Sequence, residues 1–281
     1  MKKIFSICLV LVLILSALTG CGGSKTSSSI NVVSREDGSG TRAAFVELMG
    51  IMQDDVDNTT DLAEITNSTS VMMTTVAGNP NAIGYVSLGS LNDSVKVVKI
   101  DGVEATVQNI KDKSYKVSRP FNIATKNGLS ELAQDFVDYI LSSEGQKIIE
   151  ENGYISIGEG KSYGSSGKSG KITIAGSTSV APVMEIIAEA YKVINPEVTI
   201  EIQQTGSSAG MTSTIEGVCD IGMASRELKG SELSGGLTAT TIAMDGIAVI
   251  VNNKNAVESL TSEQVKSIFT GSITSWSDIA T

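Results

Sequence analysis

Three times in this chain a run of apolar residues ends in a short turn of Gly, Ser and Thr and gives way to helical spacing. Residues 30–33 lead into Arg35-Glu36-Asp37-Gly38-Ser39-Gly40-Thr41, after which Ala43, Ala44, Phe45, Leu48 and Met49 recur at helical intervals. Residues 171–175 lead into Gly176-Ser177-Thr178-Ser179, followed by a helix over 180–193 with Pro182 in its first turn. Residues 198–202 lead into Thr205-Gly206-Ser207-Ser208-Ala209-Gly210, with helix signals at 211–215. Strand, polar turn and helix in repetition predict an α/β architecture, in which ligands sit at the carboxyl ends of the strands.

Each turn has the chemistry of an anion cradle. A helix N-terminus presents unpaired N–H groups and a partial positive charge. Glycine allows the backbone to come close to a ligand. Ser39 and Thr41 add hydroxyl donors, and Arg35 adds a planar fork suited to an oxyanion. One such turn is an ordinary Gly-Ser bend. Three at strand ends are explained most economically by one shared site.

The 281 residues are enough for one large domain or two lobes, and 41% apolar content supports a sizeable core. With 21 basic and 31 acidic residues the formal charge is −10, which argues against nucleic acid as a partner. An anion must therefore be held by local hydrogen bonds against the overall field. The chain has no histidine. That removes the usual general base, the commonest zinc ligand and any Ser-His-Asp arrangement. Cys8, Cys21 and Cys219 form no Cys-x-x-Cys pair, so neither a metal site nor a disulfide framework is signalled. Cys219 reads as a small buried hydrophobe.

At the N-terminus Lys2 and Lys3 precede an apolar run over 4–18 and then Leu18-Thr19-Gly20-Cys21, the layout of an export signal. The last four residues resemble a bacterial lipobox, which implies cleavage before Cys21 and lipid on that cysteine. Loss of Lys2 and Lys3 from the 21 basic residues leaves 19 against 31 acidic ones, or −12. Residues 22–29 then form a tether, and 1–29 as a whole are signal peptide, lipobox and tether.

Between the turns the pattern predicts a helix over 70–76, strands over 83–86 and 95–100, and an extended stretch over 115–125. Pro120 in that stretch marks an edge or a crossover rather than a central strand. Ser130 caps one long amphipathic helix running to about Glu151. Residues 158–171 have linker composition. Their Gly-Lys pairs lack the spacing of a P-loop. Residues 220–226 are a strand and its exit, 242–251 a buried strand, and Thr261-Ser262-Glu263-Gln264 a capping box.

Four segments together, Ala175 through Pro182, Thr205 through Gly210, Asp220-Ile221-Gly222-Met223-Ala224-Ser225-Arg226 and Arg35 through Thr41, resemble the phosphate-binding protein of bacterial phosphate ABC importers. The resemblance covers nearly everything from Ile30 to Ala280. It implies a two-lobe, type II periplasmic-binding-protein-like fold with phosphate in the interlobe cleft. It implies no catalysis, no cofactor and no metal. The expected partners are inorganic phosphate, permease subunits and the membrane through the lipid anchor, with a monomer on the extracytoplasmic face.

The order of segments departs from the family. There the Gly-Ser-Thr-Ser segment lies near the mature N-terminus, and the Arg-x-Asp-Gly-Ser-Gly-Thr segment follows Ser-Trp-Ser-Asp-Ile. Here Ser275-Trp276-Ser277-Asp278-Ile279 ends the chain. The expectation is a circular permutation, with 158–171 joining the usual ends. One lobe would be 30–118 plus 244–281, the other 119–243, with crossings near Pro120 and Asp245.

The resemblance implies that Arg35, Ser39, Gly40 and Thr41 bind phosphate from one lobe, and Thr178, Ser179, Ser207 and Ser225 from the other. Asp37 is expected to hold Arg35 in place. Ser177, Ser208 and Arg226 are supporting candidates, with Ser208 alternatively a helix cap and Arg226 a surface residue facing Glu227. Well-known members carry an aspartate where this chain has Ser225, so Asp245 is the candidate acceptor for the phosphate proton. A buried carboxylate there would repel sulfate. Other tetrahedral oxyanions, a phosphatase-type enzyme and a surface sensor are the competing readings.

Overall fold

The computed structural model describes residues 29–158 and 160–279. The export signal, Cys21 and nearly all of the tether lie outside the described residues. In chain order the elements are β1 Asn31–Arg35, α1 Gly40–Leu48, β2 Met52–Gln53, β3 Val56–Asp57, β4 Glu64–Thr66, α2 Thr69–Gly78, β5 Ala82–Ser87, β6 Val95–Val97, β7 Lys99–Ile100, α3 Val107–Lys111, β8 Ser118–Lys126, α4 Glu131–Ile140, α5 Ser143–Glu151, β9 Gly170–Gly176, α6 Ala181–Ile194, β10 Val198–Gln204, α7 Ser207–Glu216, β11 Ile221–Ala224, α8 Gly230–Ser234, β12 Leu237–Asn252, β13 Ser259–Leu260 and α9 Ser262–Phe269.

Among the described residues nine strands form one mixed sheet, in the order β10-β9-β11-β8-β12-β5-β1-β4, with β6 also on β12. Strands β10, β9 and β11 run parallel at one end, and β5, β1 and β4 run parallel at the other. The antiparallel pair β8 and β12 separates the two blocks. Two main hydrophobic clusters follow this division. One gathers Phe45, Tyr85, Phe269 and the 247–251 part of β12. The other gathers Phe121, Phe136, Tyr191, Ile172, Ile174, Ile242 and Ala243. β12 is the long strand that feeds both, and its apolar run is what a strand buried on both faces requires.

Two expectations are corrected. Pro120 lies in β8, which is central and not an edge. Its missing N–H is tolerated because β11 pairs with β8 only at Asn122–Ala124, and the N–H and C=O of Met244 opposite Pro120 both bond to Ile155. The single long helix after Ser130 is two helices. Ser142 accepts from Gly145 N at 3.1 Å and donates to Tyr139 O at 2.6 Å, ending α4 and capping α5. A Cβ on Gly145 would fall 2.2 Å from Tyr139 O, so only glycine fits the break. The connector between α5 and β9 packs on the helices beside it: Tyr163 Oη donates to Asp135 at 2.6 Å, Tyr163 N to Glu144 at 2.9 Å, and Ser165 to Ile194 O at 2.9 Å.

The ends of the described chain meet. Ile30 N donates to Thr274 O at 2.8 Å, and Ser29 bridges Ser275. Trp276 Nε1 fixes the same corner by donating to Asn81 O at 3.1 Å. Cys219 is buried against Thr214. No helix among the described residues is long and apolar enough to cross a membrane.

Candidate anion site

The turns after β1, β9 and β10 face one another across the boundary between the two clusters. Arg35, the last residue of β1, is 2% exposed. Its Nε and Nη2 each donate to the Glu36 carboxylate at 2.8 Å. Nη2 also donates to Thr178 Oγ1 at 3.0 Å, and Nη1 reaches Thr69 Oγ1 at 3.4 Å. The guanidinium therefore spans from its own turn to the turn after β9.

Hydroxyls complete the ring. Thr41 Oγ1 and Ser179 Oγ are 2.8 Å apart, and Thr69 Oγ1 lies 3.1 Å from Ser179 Oγ and 3.3 Å from Thr178 Oγ1. A second group lies alongside. Ser177 Oγ donates to Ser225 Oγ at 2.9 Å, and Ser225 N donates to Ser207 Oγ at 3.3 Å. Gly40 sits against this second group: a Cβ there would be 2.4 Å from Ser207 Oγ and 2.7 Å from Ser225 Oγ. Ser208 N donates to Gly38 O at 3.0 Å, so the turns also touch through backbone. Hydroxyls donate or accept as needed, so a ring of them adapts to an oxyanion without a fixed charge. All of these side chains are buried.

Local sequence explains each position. Ser39 caps α1, accepting from Arg42 N at 3.3 Å. Ser177 accepts from Ser179 N at 3.2 Å and steadies the start of α6. Gly176 has φ 141°, and a Cβ there would meet Met223 O at 2.3 Å, so the chain leaves β9 close to β11 only with glycine. α7 begins at Ser207, four residues before the sequence pattern suggested, and Gly206 rather than Ser208 is its N-cap.

Two roles change. Asp37 does not hold Arg35: its side chain is fully in solvent and pairs with Arg42 at 3.1 Å. Glu36 takes that role, because it follows directly on the strand and its carboxylate can reach back over the fork. Arg226 is not a surface residue. It is 6% exposed and makes a two-pronged pair with Glu232, at 2.9 and 2.7 Å. It also donates to Ser208 Oγ at 3.1 Å, buttressing α7. Burial opposes the charge of Glu232, but Arg226 and the Lys229 N–H outweigh it and hold its pKa below the ordinary value.

Asp245 has other partners. It is 1% exposed, and Oδ2 lies 3.4 Å from Arg119 Nη2, its register partner on β8. Oδ1 accepts from Gly89 N at 3.4 Å. Burial pushes its pKa up, against the pull of Arg119. Its contacts are with Arg119, Gly89 and Ser87 and not with the hydroxyl ring. Glu36, Thr69 and Arg119 are absent from the site expected on sequence. Asn67-Ser68-Thr69 carries a helix-start signature that placed Thr69 within reach of being found. Nothing local marks Arg119, which arrives through strand pairing. No group of three or more metal-ligating side chains occurs among the described residues.

A two-block α/β sheet with an arginine and facing hydroxyl turns at the junction defines a solute-binding class of protein. A family model described as PBP superfamily domain matches residues 23–144 and 161–281. The phosphate-binding protein PstS 2 of Streptococcus agalactiae serotype V is 59% identical over 272 residues, 94% of this chain and 93% of that one. The crystal structure of a phosphate ABC transporter phosphate-binding protein from Streptococcus pneumoniae matches at 48% identity, covering 90% of this chain and all of that chain, with TM-score 0.72. The PstS of Pseudomonas aeruginosa is 37% identical over 111 residues, 37% of this chain and 34% of that one. The chain belongs to the PBP superfamily and, within it, to the family of PstS binding proteins.

Proposed function

We propose that this chain captures inorganic phosphate outside the cytoplasm for delivery to an ABC importer. The carrying observation is the bond from Arg35 Nη2 to Thr178 Oγ1, which joins a cation on one side of the junction to donors on the other. Arg35, Ser39, Gly40 and Thr41 approach the anion from the lobe 30–118 plus 244–281. Thr178, Ser179, Ser207 and Ser225 approach it from the lobe 119–243. Thr69 joins the first set, and Ser177, Ser208 and Arg226 steady the second. The anion stabilises the closed arrangement because only that arrangement brings both sets together. No chemistry is done on the ligand, and the role is not enzymatic.

A monomer held by lipid on Cys21 presents the closed form to permease subunits. The names of the relatives support the ligand and the transporter context. The segment order is a circular permutation: the meeting of Ile30 with Thr274 supports it, as does the short collinear match to the Pseudomonas relative. Joining residues 279 and 30 while opening the chain within 161–168 should preserve binding; a joined chain that folds but does not bind would refute the permutation.

Isothermal titration of the full chain with phosphate and with sulfate tests the function. Heat with phosphate is expected. Equal heats would make the site a general oxyanion site, and no phosphate heat from folded protein would refute the proposal.

A further inference from the structure

All four arginines of the chain, Arg35, Arg42, Arg119 and Arg226, gather around the junction. Three are tightly neutralised. Arg35 has Glu36 on two nitrogens, Arg226 has Glu232 on two, and Arg42 holds Asp57 at 2.8 Å and Asp37 at 3.1 Å. Arg119 differs. Its contact with Asp245 is a long one of 3.4 Å, and its Nε has no hydrogen-bond partner although the residue is 2% exposed. Ser87 Oγ faces the Asp245 carboxylate, and Ser90 Oγ faces Tyr154 Oη, in segments packed around the same pair.

Arg119 also reaches the site. Its Nη1 donates to Ser225 O at 3.0 Å, while Ser225 N and Oγ are held by Ser207 and Ser177. Its guanidinium stands over the Phe121 ring at 5.3 Å, which fixes its place in β8. Burial draws its pKa down to about 10; Asp245 opposes this, and the charge of Arg35 adds to the lowering. Two buried cations that feel each other are relieved by an anion beside them.

We propose that Arg119 is a positioning residue of the anion site, fixing Ser225 and supplying a second positive charge that Asp245 holds in check. This rests on the reading that the site takes phosphate. It assigns Asp245 a role through Arg119 rather than as an acceptor of the phosphate proton. Removing the carboxylate then frees charge for the ligand at the expense of the fold.

The test is phosphate titration of the full chain and of Arg119→Gln, Arg119→Lys and Asp245→Asn, each with its melting temperature. Arg119→Gln should lose about tenfold or more in affinity. Arg119→Lys should recover part of that loss, since it keeps the charge but not the fork. Asp245→Asn should melt at a lower temperature yet bind phosphate more tightly. A merely structural pair would lose stability and affinity together in Asp245→Asn, and that result overturns the proposal, as does unchanged affinity in Arg119→Gln. If Arg119→Gln does not fold, the sign of the Asp245→Asn change decides. An unaltered chain that takes no phosphate overturns the binding reading itself, whatever the variants do.

Discussion

The Glu36 carboxylate holds two nitrogens of Arg35 at 2.8 Å each, which leaves the rest of the fork turned toward Thr69 and Thr178. A free arginine side chain has many rotamers, and a fork fixed by a carboxylate loses less freedom when an anion arrives. On the proposed reading the neighbouring acid is part of the site although it has the sign of the ligand.

Glu36→Ala should weaken phosphate binding by about tenfold, the scale of one charge-assisted hydrogen bond. Glu36→Gln, which keeps an oxygen facing the fork, should lose less. Tighter binding in Glu36→Ala, measured by the same titration, would mean that the carboxylate competes with the anion instead of orienting its partner.

Gly40, in the turn that starts α1, packs against the Ser207–Ser225 pair. Gly40→Ala places a methyl 2.4 Å from one hydroxyl oxygen and 2.7 Å from the other. Affinity should fall at least about tenfold. Stability should fall modestly, by about 1–3 kcal/mol, because the methyl must displace both serine hydroxyls. A variant that melts as before and still binds fully would show that the turns need not approach this closely.

The strap between α5 and β9 gives a pH prediction. Burial opposes the charge of Asp135, but hydrogen bonds from Tyr163, Tyr191 and Ser166 and the charge of Lys168 outweigh it, so its pKa lies below the usual carboxylate value. A depressed carboxylate stabilises the fold at neutral pH, and that contribution is lost as pH falls through its folded pKa. Asp135→Asn should therefore melt lower than the unaltered chain at neutral pH, with the two profiles converging in acid. A constant gap between them across that range would contradict the assignment.

Much of this was readable in the residues. The strand-turn-helix repeats placed Ser39, Thr41, Thr178, Ser179 and Ser207 at element boundaries, because glycine and hydroxyl residues have few other uses there. Position within a turn was less readable. Asp37 and Glu36 are neighbours of the same charge, and only the path of the chain after β1 decides which one faces the fork. Helix spacing alone ran α4 into α5, since Leu132, Phe136, Tyr139, Ile148 and Ile149 keep an apolar face across the break. The break is made by the Ser142 cap and Gly145. Arg119 could not be found at all: its meeting with Asp245 and Ser225 arises from pairing across 126 and 106 residues of sequence.

The most direct test of the central claim is a phosphate titration of Arg35→Met beside the unaltered chain. The account predicts a folded variant that has lost at least about 2 kcal/mol of binding, roughly thirtyfold, as expected when a buried charged partner is truncated. A folded Arg35→Met that binds phosphate as tightly as the unaltered chain would place the anion somewhere else.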